Sequence, residues 1–114
     1  MDIEMTDLGR AAKITLMGRL DTPGVDEIET RFTAGVVARG RDALVDLTQV
    51  TFVSSMGIRM LLSAARSLSL KKAKMVIYGA QPMVRESFDH VGLPDILPVV
   101  ADEAMALDCL KPGA

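Results

Sequence analysis

The chain of 114 residues fits a single domain, and its 49% hydrophobic residues supply enough apolar surface for a core that needs no disulfide bonds. The net charge of −2 and the scattered lysines and arginines argue against nucleic acid as a partner. The chain shows no secretory leader at its start, has a single cysteine, and contains no apolar run near the ~20 residues that span a bilayer. We therefore expect a cytoplasmic protein with no membrane insertion.

Two strands are predicted at the start of the chain. Residues 1–7 alternate weakly between apolar and polar side chains, which is typical of an edge strand. A turn is expected at residues 7–10. The cleaner alternation over residues 12–18 then predicts the second strand of a hairpin.

The segment that follows predicts an amphipathic helix. Thr22 is expected to cap it, and Pro23 suits its first position, where a backbone N–H would make no helical bond. Gly40 is a natural stop before the next strand. The residues expected to face the core are Val25, Ile28, Phe32, Gly35 and Val36.

Residues 43–47 are short, apolar and nearly continuous, which is typical of a strand in the middle of a sheet. Asp46 interrupts them. Because an unpaired buried charge is costly, its carboxylate should either turn toward the strand exit or be paired, and we favour the exit, close to Ser55. The helix that follows is expected to face the core with Ile58, Leu61, Leu62, Ala65 and Leu68.

The rest of the chain predicts a parallel strand, two helices and an edge strand. Residues 75–79 would close a βαβ unit. Pro82 can begin a third helix, and nearby prolines limit residues 96–100 to a short edge strand. Asp102 can cap a last helix, after which residues 110–114 fray. The expected inward positions are Val84, Phe88 and Val91 in the third helix and Ala104, Leu107 and Leu110 in the last.

These elements together predict an α/β fold in one domain over residues 1–114. We expect a mixed sheet of four to five strands, because a hairpin adjoins parallel strands that are reached through helical crossovers. About four helices would pack mainly on one face of that sheet.

Two adjacent hydroxyls, on Ser54 and Ser55, stand at the start of the second helix. One serine oxygen can accept a hydrogen bond from an unpaired N–H of the first helical turn, so the local residues are explained by a capped helix alone. If Ser54 or its neighbour takes the cap, the other hydroxyl is free at the positive end of the helix dipole, where a phosphoryl group is tolerated. We take Ser55 as the candidate for covalent modification.

Three segments, in order and spacing, resemble the STAS domain of bacterial anti-sigma factor antagonists over nearly the whole chain. They are Gly18-Arg19-Leu20-Asp21 before a helix, residues 43–47 with Phe52-Val53-Ser54-Ser55-Met56-Gly57-Ile58, and Pro82-Met83-Val84 with Phe88 and Gly92-Leu93. The better-known members of that family carry Asp at the position of Ser54 and often Glu at the position of Arg19.

The resemblance implies a protein-binding switch. In that family the serine two places before the glycine, here Ser55, is phosphorylated by a serine kinase that doubles as an anti-sigma factor. The unmodified protein binds this kinase and frees a sigma factor, phosphorylation separates the pair, and a metal-dependent serine phosphatase resets it. The chain itself would be no enzyme and would hold no cofactor or metal, because ATP and Mg²⁺ belong to the kinase.

Asp21 follows a strand and precedes a helix, where a turn or N-cap carboxylate would explain it. Parallel strands also gather their exits at one edge of a sheet, so we expect Asp21 and Ser55 on the same rim. The resemblance implies that this rim docks against the kinase. The sequence leaves open whether Met56 is exposed there or buried. The partner-contact candidates are Asp21, Thr22, Ser54, Ser55, Met56, Gly57 and Arg59.

Two other functions are alternatives at this point. One is a STAS subunit of a lipid-transport or other transporter assembly, in which the serine needs no modification; Ser54 in place of Asp keeps this alternative open. The other is a small hydrolase using Ser55, but His90 on the third helix has no reason to meet it as a base. His90 also lacks neighbours at metal-site spacing, and Cys109 is expected in packing. Homodimer formation is left open.

Overall fold

The computed structural model describes residues 1–38 and 40–110. In chain order the elements are β1 (Asp2–Asp7), β2 (Ala11–Leu20), α1 (Thr22–Val37), β3 (Asp42–Val53), α2 (Ser55–Leu70), β4 (Met75–Tyr78), α3 (Pro82–His90), a 3₁₀ turn (Leu93–Asp95), β5 (Val99–Val100) and α4 (Glu103–Cys109). The strands form one five-stranded sheet in the order β1-β2-β3-β4-β5.

The strand pairing confirms the predicted mixed sheet. β1 and β2 form an antiparallel hairpin, in which Asp2 pairs with Met17 and Asp7 with Ala12. The pairs β2–β3, β3–β4 and β4–β5 are all parallel. β1 and the two-residue β5 lie at the edges, as the sequence predicted.

Most of the core lies between one face of the sheet and the helices α1, α2 and α3. The opposite face carries a smaller apolar cluster, in which Ala106 of α4 packs on Leu44, Val76 and Tyr78. Burial of apolar surface is the main favourable term in folding, so the larger cluster holds the architecture together. The prediction of helices packed mainly on one face is confirmed. Within the described ranges, no helix has the length and apolar character to cross a membrane.

β3 is longer than the predicted residues 43–47, because it continues through two irregularities in its pairing with β2. Its core-facing residues are spaced by two positions and then by three: Ala43, Val45, Leu47, Val50 and Val53. Each step of three accommodates one extra residue, as in a β-bulge, and reverses the face that later side chains occupy. The strict alternation therefore ends at Leu47, which hid the second half of the strand from the sequence pattern.

The prediction that Asp46 turns toward the strand exit near Ser55 is wrong. Asp46 is 8% exposed, and its Oδ1 accepts hydrogen bonds from the backbone N–H and the hydroxyl of Thr48, at 2.9 and 2.7 Å. The strand runs seven residues further to Val53, on the order of 20 Å at the rise of a strand. Local hydrogen bonds satisfy the carboxylate, so its burial does not require the exit.

The inward faces of α2 and α3 differ in part from the prediction. The buried residues of α2 are Gly57, Met60, Leu61, Ala64 and Leu68, whereas the predicted Ile58, Leu62 and Ala65 are partly buried at the edge of the core. Gly57 rests against Leu20, so the inward face of α2 includes this glycine. In α3, Val84 and Phe88 are buried as predicted, but the helix ends at His90, so Val91 lies beyond it and is 57% exposed.

A polar network fastens the start of α4 to the sheet. Glu103 Oε1 accepts a hydrogen bond from the Tyr78 hydroxyl at 3.0 Å and lies 2.8 Å from Lys13 Nζ. The hydrogen bond from Lys13, and then that from Tyr78, lowers the pKa of the Glu103 carboxyl. Burial, followed by the bond to Glu103, raises the pKa of Tyr78. Glu103 must therefore face the sheet, which sets the rotation of the helix.

That rotation overturns the predicted face of α4. Asp102 caps the helix as predicted, but Ala106 faces the sheet, whereas the predicted Ala104 and Leu107 are exposed. Leu110, the C-cap residue, packs against the smaller apolar cluster together with Cys109. The remainder of the frayed tail predicted for residues 110–114 lies outside the described residues.

Candidate functional site

Ser54 is the residue that caps α2. Its Oγ accepts a hydrogen bond from the Gly57 N–H at 3.2 Å and donates one to the Leu20 carbonyl oxygen at 3.1 Å. The Ser54 backbone N–H donates to the same carbonyl at 2.9 Å. Structural bonds therefore occupy the Ser54 hydroxyl as both donor and acceptor.

Ser55 is the first residue of α2 and is exposed. Its hydroxyl makes no hydrogen bond to any residue in the part of the chain that the structure describes. The backbone N–H groups of a first helical turn lack helical partners and give this end of the helix a partial positive charge. An anion attached to Ser55 Oγ would therefore sit in a favourable field, with solvent on its other side.

Asp21, and not Thr22, caps α1, which corrects the prediction. The Asp21 Oδ1 accepts a hydrogen bond from the Gly24 N–H at 2.9 Å, and its Oδ2 lies 3.3 Å from Arg19 Nε. The bond from Gly24 is the main cause that lowers the pKa of the Asp21 carboxyl, and Arg19 adds to it. Thr22 is the first helical residue, so Pro23 stands one position later than predicted. Asp21 has the extended backbone that a cap residue needs, and its side chain accepts the hydrogen bond from the first helical turn.

Two glycines let both helix starts approach the end of β2. A Cβ on Gly57 would lie 2.7 Å from Leu20 Cγ and 2.8 Å from the Leu20 oxygen, and one on Gly24 would collide with the Arg19 carbonyl. A side chain at either position would force these backbones apart. The end of β2 therefore packs closely against the first turns of both α1 and α2, which brings the two cap residues to one rim.

The rim collects most of the predicted partner-contact residues. We refer to Asp21, Thr22, Ser54, Ser55, Met56 and Arg59 as the serine rim. All six are exposed or partly exposed. Met56, whose orientation the sequence left open, is 38% exposed. Gly57, the seventh candidate, is buried against Leu20, so its place in the structure is beneath the rim.

Two further residues border the serine rim, and the sequence pattern missed both. Arg19 and Phe52 are Cα partners at the ends of β2 and β3. The Arg19 guanidinium carbon lies 4.6 Å from the centroid of the Phe52 ring. The sequence pattern did not indicate that Phe52 is exposed, because the irregular register of β3 turns Phe52 away from the core.

Among the residues that the structure describes, His90 does not lie near Ser55. His90 ends α3, is exposed, and lies 3.9 Å from Glu86 of the same helix. β4, which precedes α3, ends beside Asp46 in the middle of β3. Ser55 lies beyond the far end of β3, so α3 begins well away from it. Within residues 1–38 and 40–110, no group of three His, Cys, Asp or Glu side chains could hold a metal ion. The geometry offers no Ser–His pair for a hydrolase.

One family model matches this organisation along almost the full chain. The model of the STAS domain matches residues 2–106. The chain belongs to the STAS domain family. The match takes in all five strands of this STAS domain and its entire serine rim.

Curated relatives of this STAS domain have names from sigma-factor regulation. BtrV of Bordetella bronchiseptica, provisionally named an anti-sigma factor antagonist, is 28% identical over 96 residues, which cover 84% of this chain and 83% of BtrV. The anti-sigma-B factor antagonist of Staphylococcus aureus is 25% identical over 99 residues, which cover 87% of this chain and 92% of that protein.

Solved structures share the fold. The unphosphorylated form of the anti-sigma factor antagonist SpoIIAA matches with a TM-score of 0.77 at 23% identity, and the match covers 94% of each chain. The phosphorylated form of the Bacillus cell fate determinant SpoIIAA matches with a TM-score of 0.72 at 21% identity, over 96% of this chain and 100% of that one. The predicted STAS-like α/β architecture is thereby confirmed.

Proposed function

We propose that this STAS domain is an anti-sigma factor antagonist that works in the cytoplasm as a switch and catalyses no reaction itself. The observation that carries the proposal is the division of roles between two neighbouring serines. Ser54 is bound into the cap of α2, whereas Ser55 presents a free hydroxyl on an exposed rim. The names of the curated relatives support the same function.

In the unmodified state the serine rim docks against a serine-kinase anti-sigma factor, which then releases its sigma factor. The rim suits such contact because it joins an exposed apolar side chain, Met56, to polar groups on two helix starts. The kinase transfers the γ-phosphoryl group of its ATP to Ser55 Oγ, a base of the kinase takes the hydroxyl proton, and ADP leaves. ATP and Mg²⁺ bind to the kinase and not to this chain.

Phosphorylation would separate the pair without unfolding the switch. The phosphoryl group adds about −1.5 to −2 charges at neutral pH, and a helix start tolerates an anion with roughly 0.3–1 kcal/mol of benefit. At a docked interface the same group loses water, and an unpaired buried charge costs far more than the helix dipole returns. A metal-dependent serine phosphatase then hydrolyses the phosphate ester and restores the binding state.

Co-purification from the native host tests this proposal. Tagged Ser55→Ala protein, which cannot be modified there, is used as bait, and mass spectrometry identifies what it retains. We expect an anti-sigma factor with a kinase domain, and we expect this kinase with ATP to add one phosphate to the parent chain at Ser55. Ser54→Ala is the matched control and should still be labelled.

Two results would contradict the proposal. Labelling at Ser54 alone would show that Ser54, and not Ser55, accepts the phosphate. Retention of transporter subunits, with no kinase, would favour the role in a transport assembly.

A further inference from the structure

Arg19 and Phe52 form an exposed pair on the sheet face opposite the main core. The parallel register pairs Arg19 with Phe52 and, one step further, Leu20 with Val53. Leu20 and Val53 are buried in the core. Successive side chains of a strand point to opposite faces, so Arg19 and Phe52 project from the other side. The Arg19 side chain is 62% exposed and Phe52 is 36% exposed.

An irregularity of the strand creates this pair. Gly18 pairs with Val50, but its neighbour Arg19 pairs with Phe52, so Thr51 is the extra residue in β3. In an unbroken register Thr51 would stand beside Arg19, and Phe52 would turn toward the core. Gly18 has φ of +112°, a conformation that side-chain-bearing residues rarely adopt.

Arg19 is held in place, but not all of its hydrogen-bond donors are used. Its Nε donates to Asp21 Oδ2 at 3.3 Å, and its guanidinium carbon lies over the Phe52 ring, 4.6 Å from the ring centroid. Its two terminal amino groups have no hydrogen-bond acceptor among the residues that the structure describes. With only Nε engaged, the two terminal amino groups of the guanidinium still offer the pair of parallel donors that matches a carboxylate. Little side-chain freedom remains to be lost when an acceptor binds.

We propose that Arg19, backed by Phe52, receives the carboxylate of an Asp or Glu side chain on the protein that docks at Ser55. This inference rests on the proposed function. The pair is continuous with the serine rim, because Asp21 belongs to the rim and is bonded to Arg19. Arginine is among the side chains enriched at the few positions that contribute most of the binding energy of protein interfaces.

Charge points to an acidic protein segment as the occupant. Arg19 is one of 13 basic residues that are scattered over a chain of net charge −2, whereas membrane surfaces and nucleic acids are bound by massed basic residues. One guanidinium held over an aromatic ring is instead suited to select one complementary carboxylate and to reject a partner with a cation at that point. Arg19 would therefore decide which anti-sigma factor this antagonist accepts.

Calorimetry with the anti-sigma factor captured by Ser55→Ala protein tests the inference. Arg19→Gln should weaken binding about tenfold or more, and Arg19→Lys several-fold, because an ammonium keeps the charge but lacks the parallel donors. Arg10→Gln is the matched control: it removes one exposed arginine that lies just before the start of β2, at the other end of the strand from Arg19, and should bind within about twofold of the parent. Melting curves verify that each variant is folded.

A charge-swap series then identifies the acceptor. Each exposed Asp or Glu of the anti-sigma factor is changed to Lys, and one such variant should bind the parent poorly but bind Arg19→Glu protein better. Parent-like binding by Arg19→Gln would overturn the inference and leave the proposed function standing. Loss of binding in Arg19→Gln with no coupled carboxylate would also overturn it. If no anti-sigma factor binds the chain at all, the proposed function and this inference both fail.

Discussion

The Ser54 hydroxyl donates a hydrogen bond to the carbonyl oxygen of Leu20, 34 residues earlier in the chain, at 3.1 Å. The same hydroxyl accepts the Gly57 N–H at 3.2 Å. It therefore joins the start of α2 to the end of β2. This bond explains why one of two adjacent serines is structural and the other is available for chemistry.

Replacement of the two serines should separate these roles. Ser54→Ala removes the cap and leaves the Leu20 carbonyl with one donor fewer, so we expect it to lower the free energy of unfolding by about 0.5–2 kcal/mol. Ser55→Ala should stay within about ±0.5 kcal/mol of the parent, because its hydroxyl bonds to no described residue. Urea unfolding followed by circular dichroism measures both. Equal losses would contradict the assignment of the cap to Ser54.

Ser55→Asp should bind the anti-sigma factor much more weakly than the parent while melting within a few degrees of it. A carboxylate at the first position of α2 faces the positive end of the helix dipole, which favours it by roughly 0.3–1 kcal/mol. Calorimetric titration and thermal melting give the two readouts. Parent-like affinity, or a chain that no longer folds, would show that the proposed phosphorylation mechanism is wrong.

Gly57→Ala should destabilise the domain, although alanine ordinarily favours a helix over glycine by about 1 kcal/mol. Its Cβ would lie 2.7 Å from Leu20 Cγ and 2.8 Å from the Leu20 oxygen, so strand and helix must separate, at a cost of about 1–3 kcal/mol. Ser63→Ala, at an exposed position of the same helix, is the control and should be neutral or slightly stabilising. A more stable Gly57→Ala protein would mean that the contact between Gly57 and Leu20 has room for a methyl group.

Asp21→Asn should keep the cap of α1, since asparagine and aspartate cap about equally well, but it removes the charge that faces Arg19. The lowered pKa of Asp21 adds stability above its usual value of 3.8, and this contribution is lost as the pH falls through the folded-state pKa. The melting temperature of the parent should therefore exceed that of Asp21→Asn near neutral pH, and the gap should close in acid. A gap that is unchanged by pH would argue against the lowered pKa of Asp21, whose main cause is the hydrogen bond from the Gly24 N–H, with a further contribution from Arg19.

Asp21→Lys is the harsher test of the rim. Since Asp21 caps α1, we expect this variant to lose partner binding and also some thermal stability. Only Asp21→Asn therefore separates an interface role from the cap, and weaker binding by that variant at an unchanged fold would place Asp21 in the interface. Titration calorimetry beside a melting curve decides between the two roles.

Tyr78 should remain protonated at a pH where a free tyrosine side chain ionises. Burial and the hydrogen bond to Glu103 raise its pKa. It is the one tyrosine of the chain, so absorbance near 295 nm reports it without interference. Glu103→Gln, which removes the nearby carboxylate charge, should bring the titration closer to the usual value of 10.0. An ordinary titration in the folded parent would contradict the network that holds α4.

Local patterns in the chain were sufficient for the element order, the mixed sheet and the serine candidate. Apolar spacing identified Val84 and Phe88 as buried, and Asp102 was recognised as a cap because an N-cap depends on its own first helical turn. Such features involve residues only a few positions apart, so a short window of sequence contains both partners.

Contacts between distant segments decided the rest. The serine that caps α2 was settled by the carbonyl of Leu20, and the face of Phe52 by irregular pairing with β2. The bonds from Glu103 to Tyr78 and Lys13 determine the inward face of α4, which differs from the face that the apolar spacing predicted. The physical reason is that a hydrogen bond or a close approach across the sheet outweighs the small preferences of a single helix or strand, and only the register of the folded chain determines which partners meet.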